Sequence, residues 1–98
     1  MLIKIHKAYR VIVAICDTEI IGKHYEEGKA ILDLKENFFK GDEKPESEII
    51  ELMQDLAKED ATFNIVGKQS VQAALKAQII SKEGIKTVQD IPFALILL

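Results

Sequence analysis

Two short segments of this chain place a lysine directly after a glycine that follows an apolar pair: Ile20-Ile21-Gly22-Lys23 and Ile65-Val66-Gly67-Lys68. A glycine in a turn lets backbone N–H groups approach an anion, and a neighbouring lysine adds positive charge, so either segment could hold a phosphate or carboxylate. The second precedes a helical pattern and is the better candidate. It is not a P-loop: the first glycine of that motif would fall at Thr62, and Gln69 stands where Ser or Thr is required. Local turn and cap chemistry is the competing explanation for both segments.

His24 adjoins the first Gly-Lys turn and is followed by Tyr25-Glu26-Glu27-Gly28, a cluster of donors and acids in one expected loop. Asn64 stands just before the second. The candidate ligand-binding set is therefore Gly22, Lys23, His24, Asn64, Gly67 and Lys68. His6 and His24 lack the spacing of a metal pair. Cys16 is alone in the apolar run Val11-Ile12-Val13-Ala14-Ile15-Cys16, which points to a buried thiol rather than a nucleophile. There is no nucleophile elbow and no dinucleotide fingerprint, so no catalytic residue, metal or cofactor is implied.

The elements that must position these groups follow from periodicity. Residues 2–7 alternate apolar and polar, as a half-buried strand does, and Val11 to Cys16 is continuously apolar, as a strand covered on both faces is. A helical turn is expected over residues 17–22 and a strand over 29–35. Pro45 suits the first turn of a helix running to about Lys58, where Ile49, Leu52, Met53, Leu56 and Ala57 form an apolar stripe. Thr62 to Gly67 reads as the turn leading into a second helix over residues 68–78. Residues 85–88 and 91–97 read as strands. The apolar run Phe93 to Leu98 fits either an interior strand or an edge covered by a second copy through a homodimer.

Together these elements predict one α+β domain spanning residues 1–98, a mainly antiparallel sheet with two consecutive helices packed on it. The 98 residues carry 48% apolar and 30% charged side chains, which excludes disordered and collagen-like classes. The start of the chain lacks the apolar block of a signal peptide, and the tail is far shorter than a membrane span, so a cytoplasmic protein with no membrane partner is expected.

The order and spacing of Val13-Ala14-Ile15-Cys16-Asp17, of Ile21-Gly22-Lys23 through Glu27-Gly28, and of Asn64-Ile65-Val66-Gly67-Lys68 with Val71 and Ala74 resemble a family of small archaeal proteins, domain of unknown function 424. The resemblance covers nearly the whole chain. It implies an archaeal, cytoplasmic source and directs attention to the two Gly-Lys turns. The family's C-terminal valine-proline-histidine step would align with Ile91-Pro92-Phe93, where phenylalanine replaces the imidazole, so no role passes to that position.

Two functions compete. The first is a non-catalytic binding or interaction module, with an RNA or a ribonucleoprotein surface as its expected partner. The second is an anion- or phosphate-binding protein, or an enzyme, built on Lys23, His24, Asn64 and Lys68, which requires the two turns to converge. The formal charge of −3 bears on both. Residues 42–60 hold eight acids and two lysines, a local balance of −6, so the rest of the chain is +3. Only Arg10 among the 13 cationic residues is an arginine, which disfavours base-specific recognition. Indiscriminate polyanion binding is excluded, while a local anion-binding face is not.

Overall fold

The computed structural model describes residues 1–96. Strands β1 (Leu2–Lys7) and β2 (Val11–Cys16) form an antiparallel hairpin. After a single 3-10 turn, Thr18–Ile20, come β3 (His24–Glu27) and β4 (Ala30–Asp33), a second hairpin, then a one-turn helix α1 (Glu36–Phe39) and the short β5 (Asp42–Glu43). Helix α2 (Glu46–Ala57), β6 (Thr62–Val66), α3 (Lys68–Lys76), a 3-10 turn at Lys82–Gly84, β7 (Lys86–Val88) and β8 (Ile91–Ile96) complete the chain.

The main sheet has the order β5-β1-β2-β6-β8-β7. Every pair in it is antiparallel except β2 with β6, which runs parallel at the centre. This is an α+β architecture. Alternation along the strands sends two sets of side chains to opposite faces. Val13, Ile15, Phe63, Ile65 and Ala94 meet Ile49 and Met53 of α2 and Val71 and Ala74 of α3. Ala14, Cys16 and Val66 meet Leu32, Leu34 and Phe39 on the other side, under the β3-β4 hairpin and α1. The sheet is thus covered twice, by two long helices on one face and by a hairpin and a short helix on the other.

Several expectations change at the level of elements. Thr62 to Gly67 is not a turn: its first five residues are β6, a central strand, and it separates the two long helices in sequence. Its β-branched and aromatic residues suit a strand buried on both faces. The strand expected over residues 29–35 is β4, which pairs with β3 across the Gly28-Lys29 loop and lies over the sheet rather than in it. The charged stretch between Phe39 and Pro45 contains β5, paired with the start of β1. Gly41 is required there, because a Cβ would collide with the Ile3 carbonyl oxygen.

The C-terminal strand is interior. β8 pairs with β6 on one side and, through Ile91 to Phe93, with β7 on the other. Leu97 and Leu98, the end of the apolar run, lie outside the described residues. No described helix is long and apolar enough to cross a membrane.

Candidate functional site

The two Gly-Lys segments, alike in sequence, form different structures. In the first, Ile21 at φ −59, ψ 135 and Gly22 at φ +80 are the central residues of a type II turn, closed by the Lys23 N–H donating to the Ile20 carbonyl at 3.1 Å. The Gly22 N–H donates to Leu34 O at 2.7 Å, and the Leu34 N–H donates to Lys23 O at 2.9 Å. Two residues therefore face one, a bulge with glycine at its left-handed position. This segment closes the neck of the β3-β4 hairpin.

The second joins β6 to α3. Gly67, at φ +113, ψ 157, occupies a region of backbone space that belongs to glycine alone. A Cβ there would run into the carboxylate of Asp17. That carboxylate, buried at the end of β2, receives the Gln69 N–H at 3.0 Å, the Ser70 N–H at 2.8 Å and the Ser70 hydroxyl at 2.7 Å. The carboxyl ends of parallel strands and a following helix N-terminus form the usual anion position of α/β folds. Here the chain's own Asp17 takes two of the α3 amides that an external anion would use.

His24 is an exposed group with partners in its own hairpin, whereas His6 is half-buried against α1. His24 Nε2 lies 2.8 Å from Glu26 Oε2, and its Nδ1 is 3.8 Å from Asp33 Oδ1 across the hairpin. His6 stacks on Phe38 with ring centres 4.7 Å apart, and its Nε2–H donates to Phe38 O at 2.9 Å. Lys4 Nζ donates to Asn37 O at 2.8 Å. These two β1 side chains satisfy carbonyls at the end of α1 and hold that helix on the sheet. Among the described residues, no group of three or more His, Cys, Asp or Glu is placed to hold a metal. Cys16 is fully buried, and burial first, then the Asp17 charge, pushes its thiol up to about 12. Such a group is no nucleophile at neutral pH.

Of the six predicted site residues, Asn64 lines a cleft. A cleft of about 300 Å3 lies on the sheet face opposite the long helices, lined by β4 and Leu34 on one side, Phe38 and Phe39 on another, and β6 and β8 as its floor. Asn64 sits in the middle of that floor, paired in register with Ala14 and Leu95. Its side-chain amide makes no hydrogen bond to any described residue. Gly22, Lys23 and His24 lie at the hairpin neck, Gly67 and Lys68 at the start of α3, and none of the five lines the cleft.

Periodicity alone did not mark this cleft, because it depends on how the hairpin sits across the sheet. β3 and β4 pack over β7, while α1 packs over β1 and β2. The strip of sheet between them stays open. Leu95 is 53% exposed there, and Ile31, on the β4 wall, is 58% exposed.

Fold and cleft define an α+β domain with a small, largely apolar cleft on the face away from its two long helices. The chain belongs to the family described as Protein of unknown function (DUF424), whose pattern matches residues 5–98. A crystal structure of an uncharacterized conserved protein from the archaeon Methanopyrus kandleri is similar, with a TM-score of 0.86, 18% identity, and coverage of 97% of this chain and 88% of that one. At this identity the similarity is one of fold. No curated protein matches the sequence.

Proposed function

We propose that this protein is a non-catalytic binding module and that its site is the cleft over Asn64. The observation that carries this reading is the Asn64 amide, without a hydrogen-bond partner among the described residues, on a floor otherwise formed by apolar neighbours. The amide is half-buried and faces the open cleft, where water satisfies it until a ligand that supplies a partner takes that water's place. A carboxamide offers one acceptor and two donors, the complement of another amide. The cleft is at the small end of ligand sites, which span ~300–1,000 Å3.

RNA is a less favoured occupant of this cleft, because its charged lining residue, Asp33, is acidic. The anion reading of the Gly67-Lys68 turn has less support too, since Asp17 engages the Gln69 and Ser70 amides. A cytoplasmic setting goes with the buried, single thiol.

Titration of the 15N-labelled protein with N-acetyl-leucine methylamide tests the proposal. The Asn64 side-chain NH2 and the backbone amides of Phe93 and Leu95 are expected to shift together. Replacement of Asn64 by leucine should weaken that binding by roughly tenfold, the worth of about one hydrogen bond. Shifts confined to Lys23 and Lys68 with inorganic phosphate, or to basic residues with oligouridylate, would reject the cleft as the site.

A further inference from the structure

The wall of this cleft is a strand edge, and the hydrogen-bonding register of the hairpin shows which backbone groups it offers. Leu34 and Lys23 are bonded across the hairpin. Counting along the register of β3 with β4, Tyr25 with Leu32 and Glu27 with Ala30 are the bonded pairs. The backbone N–H and C=O groups of His24, Glu26, Ile31 and Asp33 therefore point outward from the hairpin. On the β3 side this is seen directly, because Glu26 O accepts from the Gln89 side chain at 2.7 Å. On the β4 side no described group pairs with the backbone of Ile31 or Asp33. An unpaired edge of this kind is a template for another strand.

We infer that the cleft receives an extended peptide segment of a partner protein, added as a strand along β4. This rests on the reading of the cleft as the binding site and names its ligand class. A strand laid on β4 alternates its side chains. Those beside Leu32 enter the cleft above Asn64, Phe93 and Leu95 and are apolar. Those on the outer face lie beside Ile31 and Asp33. Asp33 is the charged residue of the lining, and its neighbours stand off at 3.8 Å for His24 Nδ1 and 3.9 Å for Lys35 Nζ. Its partly exposed carboxylate selects a lysine or arginine at the outward position opposite it. The partner segment is thus an alternating apolar strand with one basic residue on its outer face. Asn64 lies on the floor beneath those inward side chains, and main-chain pairing supplies affinity as in other strand-addition sites.

The experiment uses two capped pentapeptides, Val-Lys-Val-Thr-Val and its Glu-for-Lys counterpart, with amide hydrogen exchange followed by NMR on the full chain. The lysine peptide is expected to slow exchange at Ile31 and Asp33 by at least tenfold while leaving Leu32, already bonded to β3, unchanged. It should bind severalfold more tightly than the glutamate peptide, and Asp33→Asn should remove that preference without loss of the hairpin. Ile31→Pro deletes an outward N–H at an edge position where proline is tolerated, and should abolish protection at Asp33 while the resonances of the main sheet stay in place. Peptide binding without protection at Ile31 and Asp33 overturns strand addition. So does protection of these amides that rises with protein concentration in the absence of peptide, which would make a second copy the occupant. If N-acetyl-leucine methylamide perturbs Asn64 but neither peptide protects β4, the cleft stands as a binding site and the peptide assignment falls. If neither probe reaches Asn64, both are rejected.

Discussion

Asp17 Oδ1 accepts two hydrogen bonds from one residue, the Ser70 N–H at 2.8 Å and the Ser70 hydroxyl at 2.7 Å. Asp17 directly follows β2, and Ser70 lies in the first turn of α3, so this contact ties the central parallel strands to the helix that covers them. The buried hydroxyl and carboxylate have each other as partners, and neither has water to fall back on.

Removing the carboxylate leaves the Ser70 hydroxyl and two helix N-terminal amides without acceptors. Asp17→Ala is expected to lower stability by about 2–3 kcal/mol, and Ser70→Ala by about 1 kcal/mol. The two should be non-additive in a double-mutant cycle. Urea denaturation with an unchanged slope measures this, and additive effects would show that the contact contributes nothing.

Gly67 allows that contact to exist. Gly67→Ala meets both the backbone conformation and the Asp17 carboxylate, and should cost at least about 1–3 kcal/mol. Gly84, whose added Cβ would stand in open space, is the control: Gly84→Ala should be neutral or stabilising by up to about 1 kcal/mol. Equal thermal midpoints for the two variants would contradict the geometry at Gly67.

The Cys16 thiol, pushed up to about 12 by burial, is protonated at pH 8 in all but on the order of one molecule in ten thousand. Ellman's reagent at that pH should modify the native protein only as fast as it unfolds, and promptly in 6 M guanidinium. Prompt reaction in the folded state would mean that β2 opens locally.

The sequence was legible where one pattern dominated. The stripe from Ile49 to Leu56 announced α2, and Pro45 stands at its N-cap, one position ahead of the first helical residue. The alternation of residues 2–7 announced β1. Thr62 to Val66 was harder, because the polar Thr62 and Asn64 break up its apolar residues and Gly67 resembles a turn signal. That interruption was itself informative: an amide in the middle of a buried central strand marks a place where the sheet is uncovered. Position along the chain cannot show this, since the uncovered strip depends on the angle at which β3 and β4 cross the sheet. Likewise, nothing in Ile-Ile-Gly-Lys and Ile-Val-Gly-Lys distinguishes a bulged hairpin neck from a helix start. The distinction comes from Leu34 and Asp17, residues 12 and 50 positions away.

The β3-β4 hairpin is held at its neck by Gly22 and Leu34 and near its tip by Gln89, whose N–H donates to Glu27 Oε1 at 2.7 Å and whose side chain reaches Glu26 O. A two-stranded ribbon alone is only marginally stable in water. Fastened at both ends, this one is a preorganised wall, and a ligand that lines up along it gives up its own freedom without also having to order the protein. Loosening the Gln89 tether would therefore shift the entropy of association while leaving every contacting residue in place.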